Sequence, residues 1–305
     1  MIIVIDGLNR CDFEDVLADV FELRARVFRD RLGWDVEVTE DGREVDHFDA
    51  LDPAYVVSLD ASGRAVGCMR LLQTLGPNML NDVFHEILDG EPAPRDPQTW
   101  EATRFCVDIN RLDNGRGRNS VSFVTSEVMI GAFEYARQAG VKDAVAVIDP
   151  VMNRLMKRSN NAPHGYLGTP KNFGVATAMA ALMDCSEERI SGIRSFSGID
   201  YDVFLGEAEA RALVDAGRST EAQVARAANV TELRSDRPRR VTAEDRAPAS
   251  HSVSMMVSYC RDQLATARTE DERRAALSLL QSISTTMSPE DWNCVRQHLE
   301  VALDG

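Results

Sequence analysis

Residues 100–108 read WEATRFCVD, an apolar, strand-like run that contains one acid, Glu101, and one base, Arg104. Aromatic and β-branched residues around them predict a strand, and charges inside such a strand are costly unless paired. Other charges sit in similar places. Arg24 lies four residues before Phe28, so a helix would put both on one face, and Trp34 follows. Asp46 and Asp49 flank a His-Phe pair, and Arg70 stands between Met69 and Leu71. Taken singly, each has a structural explanation: a helix-face ion pair, a cap, an edge-strand charge. Jointly, three arginines and three acids in or beside apolar elements point to a buried polar network, the setting in which acid–base and charge-stabilising chemistry is done.

The elements that would position these groups follow from periodicity. Phe13–Trp34 has apolar residues at helical spacing and ends at Gly33. Ala54–Thr74 reads as a hairpin around a Gly-containing turn. A short helix is expected around Asn81–Leu88, then a Pro-rich connector and the strand holding Glu101. Asn119–Gly140 is a second long helix closed by glycine. The strand DAVAVID comes next, then the helix PVMNRLMKRSN with Pro near its first turn. GVATAMAALMDC reads as a further strand. This order implies an α/β fold, one mixed sheet flanked by helices on both faces. The remainder is Ala-rich and helical, broken by a charged, Pro-containing linker near 235–250. The expected division is a domain over 1–205 and a mainly α-helical C-terminal region over 206–305.

Composition sets outer limits. The chain has 305 residues, 44% apolar and 27% charged, with a net charge of −15. That balance argues against nucleic acid as a partner. The opening MIIVIDG is too short an apolar run for membrane insertion or a signal peptide and lacks a basic leader, so a cytoplasmic location is expected. The six cysteines form no CxxC pair. Reduced buried thiols and no metal site are expected. No Gly-rich phosphate loop, GxSxG elbow or HExxH motif is present.

The ordered set Arg24, Phe28, Trp34, Asp46, Asp49, Arg70, Phe84, Glu101 and Arg104 resembles that of the acyl-homoserine-lactone synthases, the LuxI-type autoinducer synthases. The spacing Arg-x3-Phe-x5-Trp-x11-Asp-x2-Asp-x20-Arg matches that family without a gap. The segment from Thr125 to Arg158 and the later LGTPKNFG extend the likeness to about residue 200. The last hundred residues depart from it, and nothing carries over to them. The resemblance implies an N-acetyltransferase-like fold. It implies transfer of an acyl group from acyl carrier protein or acyl-CoA to the amine of S-adenosylmethionine. Lactonisation then gives an N-acyl-L-homoserine lactone and methylthioadenosine. S-adenosylmethionine is a substrate here, and no cofactor is implied.

Within that resemblance the residues take roles. Glu101 is the expected proton acceptor for the amine, with Arg104 and Asp46 beside it as catalytic groups. Phe28, Trp34 and Phe105 would hold the cationic, adenosyl-bearing body. Arg24 or Arg104 would clamp the carboxylate. Asp49 and Arg70 would complete a supporting polar network. Met79, Phe105, Val121, Phe123, Met129, Val145, Val147, Met152 and Leu155 are candidates to line an acyl tunnel. The strand Ala144–Asp149 has no Ser or Thr. In the family a hydroxyl near it accompanies 3-oxo chains, so an unsubstituted or 3-hydroxy chain is favoured. Arg154, Lys157 and Arg158 form a basic patch suited to docking an acidic carrier protein or coenzyme A phosphates; a solvated helix face explains it equally well.

One difficulty is geometric. In a regular strand residues 101 and 104 point to opposite faces, so either the strand bulges or the two serve different sides. Two other readings share parts of the sequence. A CoA-dependent N-acetyltransferase would use Gly115 and Gly117 ahead of a helix. A non-catalytic regulatory binding protein would use the helical extension to recruit a partner. That extension also leaves an oligomer open.

Overall fold

A computed structural model describes residues 1–112, 120–174 and 176–229. The glycines 115 and 117, the linker near 235–250, the helices expected beyond it, Cys260 and Cys294 lie outside the described residues.

Seven strands form one mixed sheet in the order β1-β2-β3-β4-β5-β7-β6. They are β1 (Ile2–Ile5), β2 (Ala54–Leu59), β3 (Ala65–Gln73), β4 (Thr99–Val107), β5 (Asp143–Ile148), β6 (Gly165–Phe173) and β7 (Ala176–Asp184). All neighbours are antiparallel except β4 and β5. The expected hairpin is β2–β3, and the Ala-rich run is strand β7. β6 carries no clear strand pattern, since it contains Gly168 and Pro170, and sequence reading passes over it.

Helices cover both faces. α1 (Glu14–Ala25) continues into a π-helical turn (Arg26–Arg31) and stops at Gly33, whose φ is +67°. Its Val16, Leu17, Val20 and Leu23 pack with Tyr55, Val57 and Cys68. On the opposite face α3 (Val121–Gln138) packs Val124, Val128 and Ile130 with Val56, Val66 and Val107. The alternation Tyr55/Val56/Val57 thus divides β2 between two cores, as strand geometry requires. The expected helix at Asn81–Leu88 resolves into a short α2 (Met79–Asp82), capped by the Asn78 side chain, and a 3₁₀ turn over His85–Leu88. α4 (Pro150–Arg158) starts with Asp149 as cap and proline in its first turn, and α5 (Glu187–Ser197) lies against α3.

α6 (Glu207–Asn229) begins just past the expected domain boundary and packs against the α1 side. Ala210 and Val214 are buried with Phe13 and Leu17, and Arg211 pairs with Asp15 at 2.8 Å. Gly63 and Gly217 mark close backbone approaches: a Cβ on Gly63 would meet Val214 at 2.7 Å, and one on Gly217 would meet the Ser62 backbone.

Two features of β4 and β5 create the site. Their parallel pairing runs only from Thr99↔Asp143 to Glu101↔Val145, after which the strands separate. β4 also bulges against β3: Cys68 faces Cys106 and Arg70 faces Thr103, so Arg104 and Phe105 together oppose Met69.

Candidate active site

The bulge answers the question of faces. Arg104 has φ +51°, a left-handed conformation that non-glycine residues rarely hold. Thr103 and Arg104 therefore both serve the α1 side, while Ala102 and Phe105 pack with the α3 core and Cys106 returns to the α1 core. Glu101 and Arg104 reach one side of the sheet through this local distortion. Such a conformation costs about 1–3 kcal/mol and persists where surrounding contacts fix it.

Those contacts form a nearly closed ring of charges. Arg24 donates through Nε to Glu44 at 2.5 Å and through Nη1 and Nη2 to Asp49 at 2.8 and 2.9 Å. Arg70 donates through Nη1 to Asp49 at 2.8 Å and to Asp46 at 2.5 Å, and through Nε to Thr103 at 3.0 Å. Arg104 pairs with Asp46 at 2.7 Å and Glu44 at 3.0 Å. Arg24 and Arg70 have no exposed side-chain surface. The Tyr55 hydroxyl donates to Asp49 at 2.6 Å. Burial alone would raise the Asp49 pKa, but the Arg24 and Arg70 guanidiniums hold it well below the usual carboxylate range. Three arginines face three carboxylates, so the burial is charge-balanced and each ion is hydrogen-bonded.

Glu44 is the member that sequence reading missed. It is buried, sits two residues before Asp46, and is held by a bridge to Val38. The alternating Glu44-x-Asp46 spacing was the available signal, hidden because residues 35–45 show no helix or strand pattern. Asp46 and Asp49 also build a turn: Asp46 accepts from Phe48 N–H, and Asp49 accepts from Asp46 N–H.

Glu101 stands apart from the ring. Its Oε2 accepts from the Met79 backbone N–H and its Oε1 from the Leu80 N–H, each at 2.7 Å. Burial raises its pKa to about 7, against the lowering effect of those two donors. It is thus a carboxyl poised to exchange a proton near neutrality.

A cleft of about 910 Å³ opens where β4 and β5 part. Glu101, Arg104, Phe28, Trp34 and Phe84 border it. Phe28 and Trp34 stack, with centroids 5.1 Å apart and planes 11° apart, and the Arg104 guanidinium lies 5.7 Å from the Phe28 ring. The cleft continues along Met79, Phe105, Val121, Met129, Val147, Met152 and Leu155, all anticipated tunnel residues. Phe123 and Val145 do not line it; Val145 is buried beside Leu80 and Ala180. Arg24 and Arg70 do not border it either. Each of the Arg24 guanidinium nitrogens is engaged by a buried carboxylate, so Arg24 braces the ring, and Arg104 is the ring arginine that borders the cleft.

Arg154, Lys157 and Arg158 are exposed on α4, and no carboxylate among the described residues pairs with them. Val151 and Leu155 of the same helix line the cleft, so this basic face adjoins its mouth. Lys157 also lies 5.8 Å from the Tyr166 ring. Among the described residues no cluster of His, Cys, Asp and Glu has metal-site geometry, and no helix is long and apolar enough to cross a membrane. Cys68 and Cys106 are buried free thiols with sulfurs 3.5 Å apart.

Residues 10–193 match the family model for autoinducer synthases. A probable acyl-homoserine-lactone synthase of Sinorhizobium fredii is 33% identical over 193 residues, 63% of this chain and 91% of that protein. The acyl-homoserine-lactone synthase of Aeromonas salmonicida is 38% identical over 144 residues, 47% of this chain and 68% of that protein. Among solved structures, the CoA-dependent acyl-homoserine lactone synthase BjaI, with S-adenosylmethionine and isopentyl-CoA, superposes with a TM-score of 0.59 at 27% identity, covering 70% of this chain and 98% of that one. The synthase LasI superposes with a TM-score of 0.55 at 30% identity, covering 64% and 95%.

Proposed function

Since the chain belongs to the autoinducer synthase family, we propose that it makes an N-acyl-L-homoserine lactone from S-adenosylmethionine and an acyl thioester. The single observation that carries the reading is the pairing, at one cleft, of a buried carboxyl near neutral pKa with a charge-balanced arginine ring.

The chemistry has two displacements. The α-amine of S-adenosylmethionine loses a proton to Glu101, directly or through a water, and attacks the thioester carbonyl. Collapse of the tetrahedral intermediate forms the amide and expels the carrier thiol. The substrate carboxylate then attacks its own γ-carbon, which forms the lactone C–O bond, breaks the C–S bond and releases methylthioadenosine. Glu101 suits the first step because the two backbone donors fix its orientation while leaving a lone pair on each oxygen. Arg104 is the carboxylate clamp, with five donors in a planar fork and an edge on the cleft. Phe28 and Trp34 hold the cationic, adenosyl-bearing part, and Phe105 the start of the acyl chain. Asp46, Asp49, Glu44, Arg24 and Arg70 hold Arg104 in its left-handed turn.

The acyl donor is acyl carrier protein or acyl-CoA, docked on Arg154, Lys157 and Arg158; the exposed basic charges beside the cleft mouth support that face. We place the end of the synthase unit after α6, because Ala210 and Val214 are buried in the α1 core. Lipid extraction from cells expressing the chain, followed by mass spectrometry for the homoserine-lactone fragment ion, tests the function. The ion is expected; its absence under good expression counts against the reading.

A further inference from the structure

Two guanidinium groups of the ring end on one sulfur. Arg70 Nη2 and Arg104 Nη1 each donate to Met79 Sδ at 3.3 Å. Their other donations go to carboxylate or hydroxyl oxygens of Glu44, Asp46, Asp49 and Thr103. A thioether is a weak acceptor, whereas guanidinium N–H groups bind carboxylate strongly. Two cationic donors converging on one point form an anion-binding geometry, and here the poorest of acceptors fills it.

Met79 is built to leave. Its backbone N–H is fixed on Glu101 Oε2, but its unbranched side chain has three rotatable bonds. That side chain lines the cleft, and the Arg70 side chain behind it is fully buried. Swinging the sulfur aside would open the Arg70 Nη2 donor to the cleft with no movement of the ring.

We propose that the Met79 thioether is an internal surrogate for the substrate carboxylate. It occupies the point where Arg70 and Arg104 converge, and S-adenosylmethionine displaces it, so that both arginines bind the carboxylate rather than Arg104 alone. The inference rests on the synthase reading above. It also links the two halves of the site, since the residue that yields to the carboxylate is the one whose backbone holds the base.

Two substitutions of similar length give opposite signs. Met79→Leu removes the acceptor and keeps the volume, while Met79→Gln supplies a stronger neutral acceptor. The ligands are S-adenosylmethionine and methylthioadenosine, which lacks the carboxylate, titrated calorimetrically into the purified full chain. Met79→Leu should lower the Kd for S-adenosylmethionine about 3–10-fold, because two weak hydrogen bonds no longer compete. Met79→Gln should raise it by about the same factor, with methylthioadenosine within about twofold of wild type in both variants. Shifts of S-adenosylmethionine affinity in one direction for both variants overturn the proposal, as do equal affinities throughout or parallel shifts for methylthioadenosine. If wild type itself binds neither ligand, the synthase reading fails and the proposal goes with it.

Discussion

The Glu101 carboxylate is tied to the Met79 backbone N–H at 2.7 Å, so the acid in the strand and the first turn of α2 form one rigid unit. Replacing Glu101 with Gln keeps the shape, removes the proton acceptor and surrenders one of the two backbone hydrogen bonds. Turnover should fall on the order of 10²–10⁴-fold, the usual yield of general-base catalysis, with S-adenosylmethionine affinity little changed. Steady-state kinetics with calorimetric binding check this. Near-normal turnover would make Glu101 an anchor for α2 and nothing more.

The raised pKa of Glu101 couples activity and stability in opposite senses. Its carboxyl titrates at about 7 in the folded protein against 4.5 ordinarily, so folding favours the protonated form. That contribution to stability is complete below 4.5 and is lost as pH rises through about 7. The base form needed for turnover appears over the same rise. Between pH 5 and 8, roughly, kcat should climb while the free energy of unfolding declines, and Glu101→Gln should flatten both profiles. Denaturant titrations and initial rates across that range would show whether the two slopes oppose.

Arg24 and Arg104 share a ring and should fail differently. Arg24→Ala takes one of two guanidinium partners from each of the buried carboxylates Glu44 and Asp49, which keep Arg104 and Arg70, a loss of about 3–5 kcal/mol for a broken buried pair. Its signature is a lower Tm, with any binding defect following from that. Arg104 has 12% of its side chain exposed at the cleft, so Arg104→Ala should lose S-adenosylmethionine affinity beyond what its Tm predicts. Equal behaviour of the two variants by thermal melts and calorimetry would contradict the division of roles.

The packing of α6 makes a truncation informative. A chain ending at residue 205 exposes the surface that Ala210 and Val214 cover and removes the Arg211–Asp15 pair, so it should aggregate or melt early. A chain ending at residue 229 should stay folded and make product. Scattering, circular dichroism and product analysis distinguish them; a stable, active 1–205 fragment would show that α6 is dispensable.

Much of this was legible beforehand, for physical reasons that differ by element. α1, α3 and the β2–β3 hairpin bury one face each, so period 3.6 or 2 is written into their residues. The ring arginines stood out because charge in an apolar element is costly. The Glu101–Arg104 spacing raised a β4 bulge as one of two possibilities but did not decide it, since an arginine rather than a glycine takes the left-handed position, and long-range contacts hold it there. Glu44 and the Met79 sulfur were hidden for a related reason: their partners lie on other elements, and only the folded chain brings them together. The assignment of Arg24 as a possible clamp could be narrowed only by seeing its nitrogens engaged.

One cleft is expected both to acylate the amine of S-adenosylmethionine and to close its lactone. Purified chain incubated with S-adenosylmethionine and an acyl thioester, acyl-CoA or acyl carrier protein, should release methylthioadenosine and N-acyl-homoserine lactone in equal amounts. Both are read by liquid chromatography and mass spectrometry. Acyl transfer without methylthioadenosine would mark a plain N-acyltransferase, and no turnover with either donor class would mark a binding protein; either result contradicts the account.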